Sequence, residues 1–228
     1  MAKFILIDTA TDAGSVCFSE NGHVVASFAH PRAEDHAAYI GAYIHQGLRE
    51  LKLHAADIDA IAVSAGPGSY TGLRVGLSTA KGLCYGWNCR LILIPTLAIM
   101  AAGYRQLHPQ WGKQGFLVPV LKSRKDEVYA AIYQADGTIV EDARPVQLQE
   151  EDFSTWQHHL PMVIFGEAAE RLMSRLPQQA GRIEIDTNYQ LHAAHMAMLA
   201  EQAFQAGHFT DLAYAEPLYL KPTYVGKG

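Results

Sequence analysis

The sequence predicts an α/β protein of two lobes, each a mixed sheet flanked by helices. Three observations lead there. The order strand, polar turn, strand, hairpin glycine, strand runs over 4–28 and returns over 116–140. Apolar residues recur at helical spacing in 34–53 and 71–86. Between those two segments, a buried strand at 61–64 meets a helix through a turn bracketed by Gly66, Gly68 and Gly72.

Each element has a local reason. Residues 4–7 are a compact apolar run, read as a buried strand, and the polar turn 8–14 follows. Residues 15–19 alternate around Val16 and Phe18, and Asn21-Gly22 is a hairpin signal leading to a strand at 23–28. The helix expected over 34–53 carries Ala37, Ile40, Gly41, Ile44, Leu48 and Leu51 on one face. In the glycine turn Pro67 fixes one φ, and Ser69 or Thr71 suits a helix N-cap. The following helix, about 71–86, carries Gly72, Gly76 and Ala80 four residues apart, with Gly82 and Gly86 nearby. A glycine inside a helix costs about 1 kcal/mol against alanine, so something must approach this helix closely: the sheet, the preceding helix or another protein chain. A strand at 90–94 and a helix at 96–107 complete the first lobe, expected over 1–108.

Residues 108–115 form the boundary, and the pattern restarts in the second lobe, 109–228. Strands are expected at 116–121, 127–133, 138–140, 162–165 and 183–185, and helices at 167–176 and 191–206. The last segment is expected to pack back on the first lobe. A βββαβα unit used twice is the plan of the actin-like (ASKHA, ribonuclease H-like) fold.

Composition narrows the function. The chain of 228 residues is 49% hydrophobic and 18% charged, with net charge −5 and no run of Lys or Arg. A protein that grips a nucleic-acid backbone alone usually shows a basic patch, so any nucleic-acid contact is expected to be indirect or weak. Arg32, Arg74 and Lys81 are the cations that would make it, or are solvated charges. No apolar stretch reaches ~18 residues, so no membrane span is expected, and the N-terminal apolar run is too short for a signal peptide. Cys17, Cys84 and Cys89 lack metal-ligand spacing and read as buried free thiols of a cytoplasmic protein.

Chemistry candidates fail their own patterns. Gly72-Leu73-Arg74 does not close a Walker A loop, and Thr71 stands where a dinucleotide fingerprint needs glycine. The serine Ser69 lacks the flanking glycines of a nucleophile elbow. Asp8 ends the first strand, where actin-like kinases place an acid near phosphate, but its turn has no glycine before Gly14. The histidines, including His192 and His195, read as scattered surface residues. What remains is an anion at the turn amides of Gly68, Ser69, Tyr70, Thr71 and Gly72. No catalytic residue, metal or cofactor is expected.

Residues 64–76, with Gly66-Pro67-Gly68-Ser69-Tyr70-Thr71-Gly72-Leu73-Arg74 at their centre, closely resemble the GPGSFTGLR signature of the bacterial TsaB (YeaZ) family. Ile5-Leu6-Ile7-Asp8-Thr9, Pro95-Thr96-Leu97, Glu127-Val128-Tyr129 and Pro217-Leu218-Tyr219-Leu220 extend the resemblance along the chain. It implies an actin-like fold and a role in making N6-threonylcarbamoyladenosine at position 37 of tRNAs that read ANN codons. It implies a non-catalytic partner of the paralogue TsaD, joined by the ATPase TsaE. The metal-binding HxxxH of TsaD has no counterpart in 96–102. Lys122-Ser123-Arg124 stands where the family usually has Asp-Ala-Arg, which reverses the charge of that loop. Family members pair with TsaD or with themselves through the two first-lobe helices. That assigns Ala37, Gly41, Ile44, Leu48, Gly72, Gly76, Ala80 and Leu83 to a partner interface. The alternatives are an actin-like ATP-dependent enzyme and a protease.

Overall fold

The computed structural model describes residues 1–30, 36–112, 115–149, 153, 155–176 and 182–220. The chain divides into two units. One comprises 1–103 with 191–217, and the other 104–190 with 218–228.

The first unit is built on strands β1 (Lys3–Asp8), β2 (Gly14–Glu20), β3 (His23–His30), β4 (Ala60–Ser64) and β5 (Arg90–Ile94), in the order β3-β2-β1-β4-β5. The β1–β2 and β2–β3 pairs are antiparallel, and β1–β4 and β4–β5 are parallel. Asn21 and Gly22 both take positive φ, as the tight hairpin requires. Because side chains alternate along a strand, Ile5, Ile7, Val16, Phe18, Ile61 and Val63 fall on one face. There they meet helices α1 (His36–Leu51) and α2 (Tyr70–Trp87) through Ile40, Ile44, Leu77 and Ala80. The opposite face, with Phe4 and Cys17, is covered by a 3-10 turn, Ala193–Met196, and helix α4 (Ala197–Gln205). Phe4 stacks obliquely on Phe204 at 5.2 Å, and Ala193 N–H donates to Ser15 Oγ at 2.8 Å. Helix α3 (Thr96–Leu107) follows β5.

The second unit repeats the plan. Its strands β6 (Phe116–Lys122), β7 (Glu127–Gln134), β8 (Ile139–Gln147), β9 (Met162–Phe165) and β10 (Ile183–Asp186) lie in the order β10-β9-β6-β7-β8. This order matches the first sheet strand for strand. Val118, Val120, Val128, Ile132, Trp156, Ile164 and Leu172 form its core.

Three expectations change. The helix read at 167–176 is a short 3-10 turn, Ala169–Leu172, held by the two buried side chains Ala169 and Leu172. The helix read over 191–206 starts as a 3-10 turn, because His192 Nδ1 caps the amide of Ala194 and Ser15 Oγ that of Ala193. Strand β8 runs to Gln147, past the expected end at 140, since its backbone continues the ladder with β7 despite charged side chains. Pro145 is tolerated there because β8 is an edge strand. Residues 34 and 35 of the expected first helix lie outside the described residues.

Candidate functional site

The glycine turn links β4 to α2, and its geometry decides what it does. Ser69 is the N-cap, its Oγ accepting from Gly72 N–H at 3.2 Å. Gly66 sits at φ +116°, in the region that favours glycine. Its amide donates to Thr96 Oγ1 at 3.0 Å and its carbonyl accepts from Thr96 N–H at 2.9 Å, which ties the turn to the start of α3. Ser69 N–H donates to the Ala10 carbonyl at 2.7 Å, and Thr9 Oγ1 donates to the Gly72 carbonyl at 2.8 Å. The turn is thus bolted to the segment after β1.

The glycines are spaced for this contact. A Cβ on Gly68 would lie 2.4 Å from the Ala10 carbonyl oxygen, and one on Gly72 2.1 Å from that of Thr9. On Gly76 it would meet Thr9 Oγ1 at 2.3 Å. Two expectations meet this geometry. The anion cradle at Gly68 to Gly72 has its Ser69 and Gly72 amides already engaged by the protein's own oxygens. The close approach signalled by Gly72 and Gly76 is made by the β1 turn and β4 of the same unit, and these two residues, Ala80 and Ile44 are all buried. They are therefore not open to a partner helix. Leu48 and Leu83 are half-buried against the same core, while Ala37 and Gly41 are exposed.

Other glycines face outward. Added Cβ atoms at Gly41, Gly82 and Gly86 would meet nothing within 4 Å. Between the last two, Tyr85 is 85% exposed. Gly47 was not among the expected contact residues, although it follows Ile44 on the apolar face; a Cβ there would strike the Phe18 ring at 2.1 Å. Thr9 was also missed, because nothing in its sequence neighbourhood marks a hydroxyl aimed at a distant helix.

Asp8 is wholly buried. Burial pushes its carboxyl up to about 6, against the lowering effect of hydrogen bonds from Ser64, Ala10 and Thr9. Oδ1 accepts from Ala10 N–H at 3.2 Å, and Oδ2 has no hydrogen-bond partner among the described residues. Nearby on the same sheet face, Cys17 Sγ lies 3.8 Å from His192 Nδ1. His192 and His195, expected at the surface, are corrected to a half-buried and a buried position. The 3-10 turn that carries them is pinned to Ser15. Desolvation lowers both, His195 to about 4. All three cysteines are buried and free, as expected.

In the second unit Glu127 is buried, accepting from Ser123 Oγ at 2.5 Å and from Gln147 Nε2. Lys122, at the family's acid position, pairs with Glu167 at 3.5 Å on the surface. The cations named for nucleic-acid contact are otherwise engaged: Arg74 lies over the Tyr70 ring at 3.9 Å, and Lys81 Nζ donates to the Ala215 carbonyl at 3.1 Å. Arg32 lies outside the described residues. Among the described residues no group of three or more His, Cys, Asp or Glu side chains is arranged to hold a metal ion, and no helix is long and apolar enough to cross a membrane.

Comparison with known proteins places this arrangement. A family model described as "TsaD: tRNA N6-adenosine threonylcarbamoyltransferase" matches residues 23–152. The tRNA threonylcarbamoyladenosine biosynthesis protein TsaB of Escherichia coli (strain K12) is 31% identical over 226 residues, covering 96% of this chain and 94% of that protein. The solved structure of YeaZ from Pseudomonas aeruginosa has the same fold, with a TM-score of 0.82 and 23% identity over 96% of this chain and 100% of its own. An inorganic polyphosphate/ATP-glucomannokinase from Arthrobacter sp. strain KM shares the actin-like plan, with a TM-score of 0.53 and 12% identity over 90% of this chain and 100% of its own. With two like-ordered mixed sheets and the glycine turn in place, the chain belongs to the TsaB (YeaZ) family, the tRNA threonylcarbamoyladenosine biosynthesis proteins.

Proposed function

We propose that this protein is a non-catalytic cytoplasmic subunit of N6-threonylcarbamoyladenosine synthesis on tRNAs reading ANN codons. It acts by binding and activating a TsaD-type catalytic paralogue, with a TsaE-type ATPase joining the pair. The observation that carries the reading is the near-full-length match to TsaB of Escherichia coli. Two features of the chain support it: α3 has no histidine from 96 to 107, and the Ser69 and Gly72 amides of the glycine turn donate to the protein's own oxygens.

Pairing, with the paralogue or with a second copy, uses the outer face of α1 and α2. The inner glycines are consumed within the lobe, so the face shifts to Ala37, Gly41, Gly82, Tyr85 and Gly86. Small residues with open space above them let another helix approach closely, and an exposed tyrosine beside them is a common interface anchor. A stable pair would bury more than ~1,000 Å².

The test is co-purification with the TsaD-type protein of the same organism, with and without the ATPase and ATP, followed by nucleoside analysis of tRNA. Gly41→Arg and Gly82→Arg should abolish complex formation on gel filtration while the circular dichroism spectrum and melting temperature stay near the parent's. Intact complexes in both variants would move the interface elsewhere. The kinship with a sugar kinase fold keeps an ATP-dependent enzyme as the second reading. Micromolar ATP binding to the isolated chain by calorimetry would favour it.

A further inference from the structure

We infer that Cys84 and Cys89 form a redox-modification site, a thiol pair that closes to a disulfide across the turn ending α2. The two residues bracket that turn. Asn88 adopts a left-handed conformation, φ 54°, and its amide donates to the Cys84 carbonyl. The Cys89 amide donates to the same carbonyl at 3.2 Å. A six-residue loop closed by a hydrogen bond between its own end residues draws their Cα atoms toward the roughly 4.4–6.8 Å that a disulfide spans.

The side chains converge as well. Both thiols belong to the core cluster of the first unit, and both line a cavity of about 500 Å³ together with Arg90, Thr210 and Asp211. That cavity admits a small oxidant to otherwise buried sulfurs. The Cys84 thiol has two acceptors in reach, the Arg90 carbonyl at 3.3 Å and the Cys89 sulfur, and so keeps its proton. Cys89, beside the Cys84 thiol, is held below the ordinary thiol range against the opposing effect of burial. The pair is thus asymmetric, with Cys89 the attacking sulfur and Cys84 the resolving one.

The oxidant is a peroxide. The Cys89 sulfur attacks the O–O bond of hydrogen peroxide, giving a sulfenic acid and one water. The Cys84 sulfur then attacks the Cys89 sulfur and displaces the hydroxyl, which leaves as a second water with the Cys84 proton. Two thiols lose two electrons and two protons, and hydrogen peroxide is reduced to two waters. Cys17 is the built-in control. Burial pushes its thiol up to about 11, and its polar neighbours among the described residues are Ser27 Oγ and His192 Nδ1 rather than a second cysteine.

The experiment treats the folded full-length chain with hydrogen peroxide, blocks remaining thiols by alkylation, and reads intact mass and peptide map over time. The expected product has lost about 2 Da, links Cys84 to Cys89, and keeps Cys17 alkylatable. Cys84→Ser should accumulate a dimedone-trappable sulfenic acid at Cys89, and Cys89→Ser should slow oxidation at Cys84 by about tenfold or more. The parent protein alone decides the matter if either variant fails to fold. A Cys84–Cys89 link that forms no faster than Cys17 oxidises, or only in urea, would overturn the inference.

Discussion

Alanine at Gly72 and at Gly41 should move stability in opposite directions. Both glycines lie in helices of the first unit, and helix propensity alone favours alanine at each by about 1 kcal/mol. At Gly41 nothing opposes that gain, because an added Cβ would meet nothing within 4 Å. At Gly72 the Cβ would sit 2.1 Å from the Thr9 carbonyl oxygen, a backbone atom that cannot swing away. Relief requires α2 to move about 1 Å or more off the segment after β1, which is the overpacking regime of about 1–3 kcal/mol. The same shift strains the hydrogen bond from Thr9 Oγ1 to the Gly72 carbonyl, worth about 1 kcal/mol. After subtracting the propensity gain, Gly72→Ala should lose ~1–3 kcal/mol, while Gly41→Ala gains up to ~1 kcal/mol. Urea unfolding gives the totals, and hydrogen exchange at α2 amides localises the effect to this unit. If Gly72→Ala proved as stable as Gly41→Ala, the glycines would not be set by contact within the lobe, and the interface reading for Gly72, Gly76 and Ala80 would return.

Asp8→Asn should change the pH dependence of stability. The raised Asp8 carboxyl penalises folding as pH rises from about 4 to about 6, whereas the lowered His195 penalises it as pH falls from about 6.5 to about 4. The two slopes oppose each other in the parent. In the variant the histidine slopes are no longer opposed by Asp8, so its advantage over the parent is up to ~3 kcal/mol larger at pH 7 than at pH 4. A difference independent of pH in paired urea titrations would contradict the assignment. Ser69→Ala removes the N-cap of α2 and should cost about 1 kcal/mol, read from the urea midpoint. Glu127→Ala strips the acceptor from Ser123 and Gln147 inside the second unit and should cost ~1–3 kcal/mol, with faster exchange at β7 amides than at β1. An unchanged β7 exchange rate would remove Glu127 from the structural core.

Most strands were legible in the sequence because they are short, apolar and bounded by a turn signal, and the repeat of their order carried the fold; the charged second half of β8 was not. Helices of the second lobe were not legible in the same way. Residues 167–176 have apolar spacing enough for a helix, but tertiary context stops it at a single 3-10 turn around Ala169 and Leu172. His192 and His195 misled for a related reason. Their burial depends on Ser15, which is 178 residues from Ala193 in the chain, so no local pattern announces it.

The glycine helix shows where periodicity stops informing. Spacing of four residues put Gly72, Gly76 and Ala80 on one face and said correctly that a neighbour comes close. It carried no information about whether that neighbour belongs to the same chain. The answer lay in Thr9, a residue 63 positions upstream of Gly72. A helix whose inner glycines are filled by its own lobe can pair only through its other side. On α2 that side is marked by Gly82, Tyr85 and Gly86, and on α1 by Ala37 and Gly41, where a charged substitution lands in open space rather than in the core. A variant designed on the inner face would unfold the lobe and mimic loss of pairing. Gly82→Arg separates the two effects, since it tests the partner without touching Thr9.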